Sequence, residues 1–380
     1  MNTIFQYTKG DRVIWLVVII LSIFSILTVY SSTGTLAYKM QSGNTMYYLI
    51  KHGLMLLFGF GLMYVAHLVP YTVYSKISVV AVWAAGPMLL FTLAMGRSLN
   101  EASRWLSIPG TGLTFQTSDF AKLALIMYVA RLLSQKQNQI KDLKSAFIPI
   151  MLPVIVICGL ILPANFSTAA VLFTTCMFLM FIGRINMKYI FFLFGIGALL
   201  LSIFVGIALV SKNQGRVGTW KKRIENFSNA DANSDANYQS DQGKIAIATG
   251  GLLGKGPGHS TQRNFLPHPY SDFIFAIICE EYGFLGAILI VFLYLILFLR
   301  GVRIVVKSPR AFASLLAIGC SFSLVFQGMI NMAVAVNIFP VTGQPLPMLS
   351  MGGTSIWFTS IAIGIILSIS RDIEKEPATV

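Results

Sequence analysis

Apolar runs recur along this chain, each near the roughly 20 residues that cross a ~30 Å hydrocarbon layer as a helix, with short polar, basic or Pro- and Gly-rich stretches between them. The runs lie near Val13 to Tyr30, Leu54 to Val69, Ile77 to Met95, Phe120 to Leu133, Phe147 to Leu162, Thr168 to Ile182, Tyr189 to Val210, Phe273 to Leu299, Ala311 to Val336 and Ser355 to Ser370. The pattern predicts an all-α, polytopic integral membrane protein of about ten transmembrane helices. One membrane domain is expected over residues 1–380, with a single long hydrophilic loop, 211–271, between the seventh and eighth spans. Lys9 and Arg12 precede an apolar run without a small-residue cleavage site, so that run reads as a first span rather than a removed signal.

The basic residues give the pattern a direction. Lys9, Arg12, Lys76, Arg131, Lys136, Arg184, Lys188, Arg300, Arg303, Lys307 and Arg371 fall on one side of the predicted spans, whereas the short loops opposite carry only Lys39, Lys51, Arg97 and Arg104. By the positive-inside rule both termini are cytoplasmic and 211–271 is external. Composition agrees: 56% hydrophobic and 11% charged residues, with a mean hydropathy of +0.74, exclude a soluble domain. The net charge of +14 calls for no nucleic acid, because topogenic lysine and arginine beside anionic membrane lipids account for much of it. Cys158, Cys176, Cys279 and Cys320 stand singly in apolar segments and read as small core residues.

Four places carry candidate chemistry. Gly250, Gly251, Gly254, Gly256 and Gly258 surround Lys255, which suits either a backbone nest for phosphate oxygens or a tight loop needing positive φ. Lys255 is followed by Gly256 rather than Ser or Thr, so this is no Walker A loop, and ATP-driven transport is disfavoured. Before the fourth span, Arg104 and Trp105 read as interfacial anchors, while Asp119 and Lys122, spaced i and i+3, can form a structural pair or face a polar cavity. Asp272 to Leu299 can run as one helix of about 42 Å, holding Asp272 roughly 12 Å above Glu280 and Glu281, as a helix cap or as a working carboxylate. Between the ninth and tenth spans, Pro340 to Ser355 is broken by Pro and Gly, which predicts a re-entrant loop with Thr342, Ser350 and Ser355 as hydroxyl donors. A flippase would be built of broken helices too, so this loop does not separate transporter from enzyme.

Three blocks, NEASRWLSIPGTGLTFQTSDFAK (Asn100 to Lys122), AIATGGLLGKGPGHSTQRNFLPHPYSDFIFAIICEEYG (Ala246 to Gly283) and the stretch containing FPVTGQPLPMLSMGGTS, closely resemble the SEDS family, for shape, elongation, division and sporulation. The resemblance extends over essentially the whole chain, and GHSTQRNFLPHPYSDF is more like the division branch than the elongation branch. It implies a peptidoglycan glycosyltransferase of the bacterial inner membrane that polymerises lipid II beside a class B penicillin-binding protein and other divisome membrane proteins. It implies Asp272 as the catalytic residue, an acidic side chain, and Arg104, Trp105, Asp119, Lys122, Gln242, Lys244, Gln262, Arg263, Thr342, Ser350 and Ser355 as substrate-binding positions. It calls for no resident cofactor, although a divalent cation, Mg or Mn, would suit a pyrophosphate leaving group. The chain departs from the family where Thr117 and Asp119 replace Pro and Glu, where Ala164 to Thr168 lacks an acidic residue, and where Pro267 to Asp272 reads PHPYSD.

Overall fold

The computed structural model describes residues 9–40, 42–95, 97–99, 102–107, 114–210 and 235–375. The first half comprises α1 (Arg12–Ser32), α2 (Gly34–Met40), α3 (Thr45–Leu68), α4 (Tyr71–Met95), α5 (Thr117–Gln135), α6 (Ile148–Ile161), α7 (Phe166–Ile182) and α8 (Met187–Val210). The second half comprises α9 (Asp235–Gly250), α10 (Ile274–Lys307), α11 (Ala311–Ala335) and α12 (Thr354–Lys375). Seven of the described helical segments are long and apolar enough to cross a membrane: α1, α3, α4, α10, α11, α12 and the segment Leu143–Ile161, which joins a π turn to α6. Helices also stand at the other three predicted spans, as α5, α7 and α8. The predicted external loop is described only from residue 235, so 211–234 lie outside the described residues.

Each helix follows from its composition and its end groups. Asp11 caps α1 by accepting from the amides of Val13 and Ile14 at 2.9 and 3.3 Å, and its other oxygen pairs with Arg300 at the far end of α10. Arg371 of α12 donates to the carbonyls of His67 and Leu68, the orphan acceptors at the end of α3, and Gly10 N–H donates to Glu374. These bonds gather the start of α1 and the ends of α3, α10 and α12 on one basic face. Burial separates centre from rim: 72% of the apolar window of α12 and 67% of that of α11 are buried, against 28% for α3 and α4, whose outward Leu, Phe and Trp side chains suit lipid.

On the opposite face, the connection from α4 to α5 folds as a three-stranded antiparallel sheet, β1 (Arg97–Leu99), β2 (Ala102–Ser107) and β3 (Thr114–Gln116), an addition to the expected all-α fold. The larger departure is in α10. The expected single helix from Asp272 does not form: the helix begins at Ile274, and it breaks at Gly283, where φ is 66° and ψ is −165°. The break is filled by backbone. Lys255 and Gly256 N–H donate to the carbonyls of Glu280 and Glu281, while Phe284 and Leu285 N–H donate to Gly251 and Leu252. The glycine-rich loop therefore supplies the partners that an interrupted helix lacks. Only glycine fits this approach, since a Cβ on Gly254 would lie 2.2 Å from the Glu281 carbonyl oxygen and one on Gly283 2.5 Å from that of Leu252.

Candidate functional site

Asp272 sits in the turn before α10, outside the helix. Phe273 is the N-cap residue, so Asp272 does not cap the helix as the sequence allowed. The turn is fastened to the Pro- and Gly-broken connection between α11 and α12. Met351 N–H donates to Tyr270 O at 2.9 Å, and the Ser350 hydroxyl, which accepts from Leu346 N–H, donates to Ser271 O at 2.7 Å. From α11, the Asn331 amide donates to Asp272 O at 3.0 Å and to Gln344 O at 2.7 Å. The backbone around the acid is thus held by three bonds from two elements. Its side chain is left freer: Oδ1 accepts from the Ser271 hydroxyl at 2.8 Å, and a Cβ added at Gly343 would lie 3.6 Å from Oδ2.

A chain of amides links this turn to the charged start of α5. Lys122 Nζ lies 2.9 Å from Asp119 Oδ1 and donates to Gln327 Oε1 at 2.9 Å; Gln327 in turn donates to Pro345 O at 2.9 Å, one residue from Gln344. Asp119 and Lys122 line, with Gln327 and Ser355, a small cavity of about 30 Å³ between α5, α11 and α12. That volume admits water rather than a pyrophosphate. Asp119 Oδ2 finds no hydrogen-bond partner among the described residues, so the carboxylate has capacity to spare. Gln327, Asn331 and Gln344 were absent from the expected site. Their signal was present all the same: two amides spaced i and i+4 on an apolar span.

A second polar cluster lies under the glycine-rich loop. Glu280, fully buried, accepts from Lys255 Nζ, from the hydroxyls of Ser260 and Thr261, and from the amides of Thr261 and Gln262. Glu281 accepts from Ser31 of α1 and from Ser260 N–H, and Arg263 donates to Ser31 O at 2.9 Å. The Lys255 and Gly256 amides, expected in a nest for phosphate oxygens, are taken instead by the backbone carbonyls of Glu280 and Glu281, and the Lys255 ammonium by the Glu280 carboxylate. Gln262 and Arg263 serve this cluster. Lys244 pairs with Asp241 on the exposed face of α9, and Gln242 is half-buried on the same helix. Trp105 on β2 is half-buried and in register with Gln116; Arg104 is on the same strand, its side chain outside the described residues. Lys122, Lys244 and Arg263 each have a partner of their own, and no hydrogen bond or ion pair described joins any of them to the Asp272 carboxylate. Thr342 is half-buried beside Gly343. Among the described residues, no group of three or more His, Cys, Asp or Glu is placed to hold a metal ion.

The arrangement offers a carboxylate whose second oxygen accepts no hydrogen bond among the described residues, on a turn fixed by its backbone. That suits accepting a proton from a hydroxyl nucleophile. Residues 11–375 match the family described as cell cycle protein, FtsW/RodA/SpoVE. A probable peptidoglycan glycosyltransferase FtsW from Trichlorobacter lovleyi is 31% identical over 380 residues, covering 99% of this chain and 97% of the relative. Stage V sporulation protein E of Bacillus subtilis is 35% identical over 288 residues, 75% of each chain. Among solved structures, a chain of a peptidoglycan synthase complex coordinating polymerization and crosslinking superposes with a TM-score of 0.77 at 21% identity, covering 97% of this chain and 99% of that one. The rod shape determining protein RodA of Thermus thermophilus gives 0.70 at 22% identity, covering 97% and 98%. At such identities the structures show the shared fold.

Proposed function

The chain belongs to the FtsW/RodA/SpoVE cell cycle protein family, and from that membership we propose that it is a peptidoglycan glycosyltransferase that polymerises lipid II on the outer face of the bacterial inner membrane during division. The observation that carries the reading is Asp272, an acid with one oxygen unpartnered among the described residues, on a turn pinned by Ser350, Met351 and Asn331. The acceptor's N-acetylglucosamine 4-hydroxyl attacks the anomeric carbon of the donor's N-acetylmuramic acid. Its proton passes to Asp272 as the C–O bond forms, and the bond to undecaprenyl pyrophosphate breaks with both electrons on the leaving oxygen. A sugar hydroxyl is a poor nucleophile at neutral pH, so a positioned base supplies about 10²–10⁴ in rate. One displacement inverts the α-linked donor to a β-linkage, and no second carboxylate is needed. A class B penicillin-binding protein, with other divisome proteins, is the proposed partner that cross-links the strands; the similar complex couples those two steps.

Purified protein in detergent, given lipid II and its cross-linking partner, is expected to produce a ladder of glycan strands on a gel. A flippase or a scaffold makes none, so absence of polymer would remove the enzymatic reading.

We further place ten spans in the membrane, with both termini cytoplasmic. The basic face gathered by Asp11, Arg300 and Arg371 supports this orientation. The four native cysteines are buried, so a single engineered cysteine can report it. Asp241→Cys, at an exposed position on α9, is expected to react with a membrane-impermeant maleimide on intact spheroplasts. Labelling only after permeabilisation would reverse the topology.

A further inference from the structure

A second concavity opens on the outer side, about 390 Å³ in volume, between α2, the start of α9 and the strand of chain leading to Asp272. Thr35, Tyr238, Gln239, Asn264, Phe265 and Tyr270 contribute to its wall. Its size falls in the roughly 300–1,000 Å³ range of small-ligand sites. Among the described residues, no charged side chain lines it, so it offers nothing to a pyrophosphate. What it offers is aromatic rings beside amides. Tyr238 and Phe265 are 42% and 54% exposed, although neither lies in a membrane-spanning helix. Tyr270 joins the groove to the acid two residues on, and burial first, then the Asp272 carboxylate, raises its pKa, which keeps the phenol protonated as a donor.

The apolar C–H face of a hexose ring packs on an aromatic ring, and an acetamido group matches a side-chain amide donor for acceptor. Exposed aromatics near a membrane are otherwise lipid anchors. Against an acyl chain stand the amides of Gln239 and Asn264 and the Tyr238 phenol, polar groups that hydrocarbon would leave unsolvated, whereas the Tyr270 phenol already meets His268. We infer that this groove seats uncharged N-acetylated sugar units of the glycan substrate next to Asp272, with Tyr238, Phe265 and Tyr270 against the rings and Gln239 and Asn264 on the acetamido groups. The inference rests on the glycosyltransferase reading for its ligand class.

The test separates the two. Full-length protein in detergent is titrated with chitotetraose, a soluble uncharged N-acetylglucosamine tetramer, and binding is followed by saturation-transfer NMR, which needs no turnover. Wild-type protein is expected to bind, and Tyr238→Ala/Phe265→Ala to bind about tenfold more weakly at unchanged Tm. In the polymerisation assay the same variant is expected to raise KM for lipid II and shorten the strands. Should the double variant fail to fold, Asn264→Ala, at an exposed position, is read in the same way. Failure of wild-type protein to bind chitotetraose, or equal binding by wild type and variant, overturns the groove whatever the polymerisation assay shows. Loss of a co-purified phospholipid in native mass spectrometry, with sugar binding intact, would make the groove a lipid seat and overturn it too. Sugar binding without any polymer from wild-type protein would leave the groove standing and the catalytic reading fallen.

Discussion

Asp272→Asn is expected to give a folded, inserted protein that binds lipid II and its partner but makes no detectable polymer, a fall of about 10²–10⁴ in rate. The structure sharpens this expectation. Because Phe273 rather than Asp272 is the N-cap, and because the carboxylate accepts only from Ser271 among the described residues, the amide costs the fold little. The backbone bonds from Ser350, Met351 and Asn331 do not depend on the side chain at 272, so the turn keeps its shape. The comparison is strand synthesis by wild type and variant at equal Tm. Near-normal polymer from the Asn variant would place the base elsewhere.

Lys122 should respond in two separable ways. It is 13% exposed and its partner Asp119 only 4%, so Lys122→Gln leaves a buried carboxylate unpaired, a loss of about 3–5 kcal/mol. The double variant Asp119→Asn/Lys122→Gln removes both charges and is expected to recover most of the lost Tm. If Lys122 also serves the reaction, as a cation toward the departing pyrophosphate once the cavity widens, the double variant regains stability without regaining polymerisation. Wild-type strand synthesis by the double variant would make the pair structural. Thermal melts and gel assays on the three proteins settle it.

Much of this was legible in the linear chain, for reasons that differ by residue. Spans are read from composition because lipid imposes one requirement on every residue of a helix. Helices stand at all ten predicted positions. The pairing of Asp119 with Lys122 was legible because i and i+3 are neighbours on any helix. The helix expected to run unbroken from Asp272 was misjudged: Gly283 gives no local sign of a break until the loop 251–256 is known to pass through it. Of the two readings open at Lys255, the tight loop of positive φ is the one formed, at Gly251, Gly254, Gly256 and Gly258, and the partner that occupies Lys255, Glu280, lies 25 residues away along the chain. Local pattern reports what a residue can do, and only the tertiary contact reports which partner reaches it first.

The bonds that pin the turn at 272 also set an order of assembly. Asp272 is positioned by Ser350 and Met351, and the loop before it is held by Glu280, Glu281 and, through Arg263, by Ser31. Those supports span the chain from its first helix to the threshold of its last. While the ribosome is still making α11, the glycine-rich loop can have found its seat, yet the turn at 272 still lacks Asn331, Ser350 and Met351. Completion of the turn that carries Asp272, the proposed base, is thus among the last events of biogenesis, and a nascent chain halted before residue 350 would lack the bonds from Ser350 and Met351 that hold it.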